Sequence, residues 1–149
     1  MEHSQQKQVK KVSEAEALRK SEVVPQFSPI QSRIGGCFIP VSDLERSRSW
    51  YCLLLGIDEK QCPIYFDHMC VIPMQGADIM LDTMPRWGGE EPGGPPILRT
   101  PAFMLLTDDV EESFKHARSI GATLVTEIEQ GQWFVLKDPD GNKLMVNRG

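Results

Sequence analysis

Apolar and polar positions alternate, then fall into a helical period, then alternate again, and this cycle runs twice along the chain. Residues 33–41 are rich in Ile, Phe and Val and predict a strand, with Pro40 confining it to an edge or a bulge. Leu44, Trp50, Tyr51, Leu54 and Leu55 follow at close to 3.6-residue spacing. They predict a helix capped by Ser42 or Asp43 and ended by Gly56. Short strands are predicted over 64–67, 68–73 and 77–84, with Gln75-Gly76 as a turn. The second cycle predicts a strand over 102–107, a helix over 109–120 ended by Gly121, and strands over 122–127, 132–137 and 143–147. Asp138-Pro139-Asp140-Gly141 supplies the last hairpin, with glycine where positive φ is needed. Asp43 and Asp109 stand 66 residues apart, and Gly56 and Gly121 stand 65 apart. Two βαβββ modules therefore recur at one spacing, and each must bury an apolar face against the other or against a second copy. The seam between them is the natural place for a cavity.

The modules occupy about 33–84 and 101–149, giving one domain over 33–149. Residues 85–100 interrupt the pattern with Pro85, Gly88, Gly89, Pro92, Gly93, Gly94, Pro95 and Pro96, and predict a loop carrying an Arg86-Trp87 pair. Residues 1–32 read as an N-terminal extension. Ser13-Glu14-Ala15-Glu16 fits the capping box of a short helix that Val24-Pro25 would stop, and the alternatives are a flexible tail or a dimer-clasping arm.

Charge and composition narrow the function classes. The net charge is −5, with +1 in residues 1–32 and −6 in the remainder. An acidic body argues against nucleic acid, which needs a basic face to displace counterions. It mildly favours neutral or cationic ligands. No stretch approaches the ~20 apolar residues that span a bilayer, and the N-terminus lacks the apolar core of a signal peptide. The expectation is a cytoplasmic protein with no membrane or nucleic-acid partner. Cys37, Cys52, Cys62 and Cys70 form no CxxC pair and are expected to be free thiols.

Val41-Ser42-Asp43-Leu44-Glu45, Trp50-Tyr51 and Leu55-Gly56 resemble the opening of vicinal-oxygen-chelate proteins, the superfamily of glyoxalases, bleomycin-resistance proteins and extradiol dioxygenases. Lys137-Asp138-Pro139-Asp140-Gly141-Asn142 resembles the closing hairpin of that group. The resemblance covers residues 33–149. It implies an α+β fold of two tandem βαβββ modules forming an open half-barrel with a concave cleft, often completed by a second copy. In metal-using members a ligand, usually His, opens the first and fifth strands, and a carboxylate sits near the end of the last strand of each module. Those positions fall here on Gly36, Ala102, Met80 and Met145, with Asp82 two residues beyond Met80. Glycine and alanine have no donor, and thioethers are poor ligands for hard or borderline divalent metals. No metal and no cofactor is expected.

With Gly36, Ala102 and Met145 facing inward, strand alternation puts Phe38, Pro40, Met104, Leu106, Lys143 and Asn147 on the concave face. Met80 facing inward brings Asp78 and Asp82 with it. Cys37, Ile39, Val41, Phe103, Leu105, Leu144 and Val146 should pack under the helices. Candidate ligand-binding residues are Phe38, His68, Met80, Asp82, Trp87, Met104, Trp133, Met145 and Asn147. Trp87 and Trp133 either stack on a flat ligand or plug the core. His68 reads as a cleft residue for proton transfer or hydrogen bonding, or as a surface or edge histidine held by Asp67 or a backbone carbonyl. Asp82 reads as a cation partner, a general base or a solvated strand end. His116 is expected on a solvated helix face, and Trp50-Tyr51 in the core. The expected function is metal-independent binding of a small, partly apolar molecule, neutral or cationic, of the drug-sequestration type, by a homodimer. The alternative is a glyoxalase-like lyase or isomerase, or a dioxygenase, using His68 and Asp82.

Overall fold

The computed structural model describes residues 27–83 and 95–149. The expectations for the N-terminal helix and for Arg86-Trp87 lie outside the described residues. Residues 34–149 form one compact unit, built from two four-stranded sheets with a helix against each. In the first module β1 (Gly36–Pro40) leads into α1 (Leu44–Leu55), a 3-10 turn (Glu59–Gln61), β2 (Ile64–Tyr65), β3 (Met69–Ile72) and β4 (Asp78–Asp82). In the second, β5 (Met104–Thr107) leads into α2 (Val110–Ser119), β6 (Thr123–Leu124), β7 (Trp133–Lys137) and β8 (Lys143–Arg148). The sheet orders are β1-β4-β3-β2 and β5-β8-β7-β6, so the modules repeat in topology as well as in spacing. Strands β1 and β5 pair in parallel with β4 and β8, and the other pairs are antiparallel. Among the described residues the two sheets share no ladder, which leaves an open assembly rather than a closed barrel.

Local chemistry accounts for these boundaries. Asp43 caps α1 by accepting from Arg46 N at 3.0 Å, and Asp109 caps α2 by accepting from Glu112 N at the same distance. Gly56 ends α1 in the left-handed region at φ 67°, where a β-carbon would be strained. Pro40 closes β1, an edge strand whose missing N–H leaves no gap in the ladder.

The helix-facing sides of both sheets merge in one core. Ile39, Val41, Ile72, Ile79 and Leu81 meet Tyr51 from α1, while Phe134, Leu136, Leu144 and Val146 meet Val110, Phe114 and Ala117 from α2. The alternation expected from the sequence thus assigns the buried parity correctly. Trp50 contacts Tyr51 edge-on at 4.8 Å, and Phe114 meets Phe134 likewise at 5.2 Å. All four cysteines are free thiols. Burial pushes the Cys52 thiol up to about 12 and the Cys70 thiol up to about 11, so both stay protonated near neutral pH.

Polar contacts join the modules at two places. The β7–β8 hairpin seats on the first module: Tyr51 Oη donates to Asp138 Oδ2 at 2.9 Å, and Asn142 Nδ2 donates to Pro40 O at 2.8 Å. Ser42 Oγ donates to Asp140, whose carboxylate also meets Arg46 at 3.4 Å. At the other place His116 Nε2 lies 2.9 and 3.1 Å from the carbonyls of Leu53 and Leu54. His116 is exposed, but its ring serves the C-terminal end of α1 rather than solvent alone, which corrects the expectation for it. The carbonyls that end a helix lack intrahelical donors, and a ring N–H supplies one.

Candidate functional site

The face of each sheet turned away from the helices is apolar and incompletely covered. Phe38 stands across from Met80, and Val71 flanks Met80 on the other side. In the second module Met104 stands across from Met145, flanked by Val135. The same register in both modules makes Met80 and Met145 equivalent, as the sequence alignment of the two halves expects. Leu106, Asn147 and Trp133 form the next row. Phe38 is 55% exposed, Met104 56% and Leu106 70%, and such large apolar groups on one face mark a surface built to be covered.

The polar end of the first sheet is formed by His68 and Asp82. Pairing of Met69 with Asp82 carries the residue before Met69 alongside the carboxylate. His68 Nδ1 lies 3.1 Å from Asp82 Oδ1, the hydrogen-bond distance for a tautomer that carries its proton on Nδ1. Asp82 is 7% exposed and His68 19%. Asp82, fourteen residues on and across a strand pair, is thus a partner of His68 that neither alternative for an edge histidine names. Asp82 is likewise no solvated strand end. In the neutral imidazole with its proton on Nδ1, Nε2 is the basic nitrogen, so this geometry permits proton transfer as well as hydrogen bonding.

Of the nine candidate residues, Phe38, Met80 and Asp82 share one face of the first sheet, and His68 joins them through its bond to Asp82. Met104, Trp133, Met145 and Asn147 share the corresponding face of the second sheet. Trp87 lies outside the described residues. Three neighbours on these faces were not among the candidates. Tyr65 and Met69 stand in register with Asp82, and Phe66 stacks on His68 with ring centroids 6.0 Å apart and planes 23° from parallel. Tyr65 and Phe66 could have been found only by locating the turn between β2 and β3, which carries no glycine, asparagine or proline.

The four positions where metal-using relatives carry ligands do not fit a divalent ion. A β-carbon at Gly36 would fall 2.7 Å from Met80 Cε and 3.0 Å from Met80 Sδ, so the thioether already fills that space. Met145 offers only a second thioether, and Ala102 offers no donor. Among the described residues no three His, Cys, Asp or Glu side chains gather as a ligand set.

A cavity of about 480 Å³ lies away from the His68–Asp82 pair, between the end of α1, β5 and the start of α2. Leu54, Leu55, Leu105 and Val146 line it together with Glu112 and His116. Leu105 and Val146 belong to the helix-facing parity, while Leu106, which also lines this cavity, belongs to the exposed apolar face, so the two meet along β5.

Known structures share this architecture. TnmS3, an antibiotic-binding protein from Streptomyces sp. CB03234, is 25% identical with a TM-score of 0.59, over 82% of this chain and 98% of that one. A member of the glyoxalase/bleomycin resistance protein/dioxygenase superfamily from Sphaerobacter thermophilus DSM 20745 is 23% identical with a TM-score of 0.60, over 80% and 98%. The lactoylglutathione lyase of Agrobacterium tumefaciens is 16% identical with a TM-score of 0.58, over 82% and 96%. No curated protein matches the chain. The family model matches residues 33–146, spanning both modules and both landmark motifs, and the chain belongs to the Glyoxalase/Bleomycin resistance protein/Dioxygenase superfamily.

Proposed function

We propose that this protein binds a small, partly apolar molecule on the concave face, without a divalent metal, and holds it chemically unchanged. The observation that carries this reading is the pairing of a broad exposed apolar surface, Phe38 with Met104 and Leu106, with a single polar end at His68 and Asp82. Small-molecule sites combine mostly apolar lining with a few placed polar groups in this way. The donor-poor set Gly36, Met80, Ala102 and Met145 supports metal independence. The likeness to an antibiotic-binding protein supports sequestration of a drug-like compound, and the acidic body suits a cationic one.

Mass spectrometry of whatever small molecule co-purifies, with binding measured on variants, tests the reading. His68→Ala and Trp133→Ala should each weaken binding by roughly 5- to 150-fold, the effect of losing an anchor that contributes about 1–3 kcal/mol. Their unfolding midpoints should move little. Unchanged affinity in both variants would remove these residues from the site. Stoichiometric Zn, Mn, Fe or Ni surviving extensive dialysis would overturn metal independence.

A second reading, an enzyme of the lyase or isomerase class, is favoured by the His68–Asp82 hydrogen bond. The two separate on the fate of the ligand: a binder returns it unaltered, whereas an enzyme converts it and loses turnover more than affinity in His68→Ala.

A further inference from the structure

The turn joining β2 to β3 holds an aromatic residue where the backbone disfavours one. Phe66 and Asp67 both lie at positive φ, 54° and 61°, and His68 N donates to Tyr65 O at 3.2 Å across them. Tyr65 pairs with Met69, so three residues make the loop, and its first two are held left-handed, a conformation that glycine, asparagine and aspartate adopt most readily. A β-carbon is crowded in that region, and a bulky aromatic residue there is an outlier. The other positive-φ positions among the described residues are glycines or, at Gln130, directly precede one. Burial does not offset this strain, because Phe66 is 80% exposed. What the conformation achieves is placement: the Phe66 ring lies over His68 and 6.4 Å from Tyr65. Tyr65 is in register with Met69 and Asp82, so the rings form an aromatic wall at the polar end of the concave face. Strain that the fold itself does not use gathers at binding sites.

We propose that Phe66 is the stacking residue of this site and selects a flat aromatic ring system whose polar substituent reaches His68 and Asp82. This rests on the reading that the concave face binds a small molecule, and it adds the shape and class of that molecule. A ring offered to solvent by a strained turn stacks on a planar ligand through offset or edge contacts, which a saturated body of equal size cannot match.

The test uses two probes of nearly equal size, 2-naphthol and decahydro-2-naphthol, titrated into the full chain and followed by amide chemical shifts. The parent should bind 2-naphthol at least fivefold more tightly. Phe66→Asn should abolish that preference and raise the unfolding midpoint by about 2–4 °C, since asparagine tolerates the left-handed turn. Phe66→Tyr should retain the preference, and Phe38→Ala should weaken both probes alike. A preference that survives Phe66→Asn, or a midpoint that falls in that variant, overturns the stacking role. Equal binding of both probes, weakened by Phe38→Ala, overturns the stacking role while leaving the cleft in place. Binding of neither probe overturns the cleft and the stacking role together.

Discussion

Asp138 is the residue on which the joint between the modules turns. Its Oδ2 accepts from Tyr51 Oη and Asn142 Nδ2, each at 2.9 Å, and its Oδ1 accepts from the backbone N–H groups of Asp140 and Asn142 at the same distance. Tyr51 and Asn142 are fully buried, so a donor orphaned there meets no water. Burial, followed by the Asp138 charge, holds the Tyr51 phenol well above its ordinary value, keeping it a donor throughout the accessible pH range. Tyr51→Phe removes one donor and leaves Asp138 with its others, at a cost of about 1 kcal/mol. Asp138→Ala strands several donors at once and should cost about 3 kcal/mol or more, because each unsatisfied buried group carries its own desolvation penalty. Urea unfolding of both variants checks the ordering, and equal losses would show that the hairpin seat is held by packing instead. The sequence identified the Asp-Pro-Asp-Gly turn but not this role, since the partner Tyr51 lies 87 residues away. The His68–Asp82 pair shows the same limit. Both residues were legible as candidates, but their contact depends on a strand register that no local pattern records.

At the scale of elements, what could be read were the features set by local physics. Both helices begin at aspartates, the first at Asp43 of the two caps expected, Ser42 or Asp43, and the first ends on its glycine. Asp43→Ala and Asp109→Ala should therefore each cost about 1 kcal/mol of stability, measured by denaturant midpoint, through loss of one capping bond to an otherwise unpaired N–H. An unchanged midpoint in either variant would mean that water satisfies that N–H equally well. Strand lengths were less legible. The strand expected over 64–67 shrinks to Ile64–Tyr65 and that over 122–127 to Thr123–Leu124, because pairing at a sheet edge depends on the neighbour available. The turn at Phe66-Asp67 was hidden for a different reason: Phe66 has β propensity, and a lone Asp67 between two apolar runs is a weak turn signal that the tertiary arrangement has to complete. Face parity, by contrast, followed directly from the period of two, which is why six of the nine candidates could be placed before their sheet was known.

The whole molecule leaves surface that a single copy does not cover. Strands β1 and β5 are the edges of their sheets, and the exposed Phe38, Met104 and Leu106 belong to these two strands. An edge offers unpaired backbone groups, and an apolar face beside it adds a favourable term of roughly 25 cal/mol for each Å² removed from water. The arrangement is met most simply by a second copy related by a two-fold axis, since the same patch then serves both partners. Light scattering at ~10 µM and above should therefore give twice the chain mass of 16.8 kDa. Leu106→Glu, which puts a charge on the exposed parity without touching the core, should shift the mass toward that of the single chain while leaving the helical signal intact. A parent that scatters as a single chain at this concentration would show that the concave face meets solvent or its ligand alone. In that case the ligand alone covers Phe38, Met104 and Leu106, and saturation with ligand, rather than protein concentration, should raise the unfolding midpoint; in a dimer both should raise it, because the ligand and the second copy would then share this face.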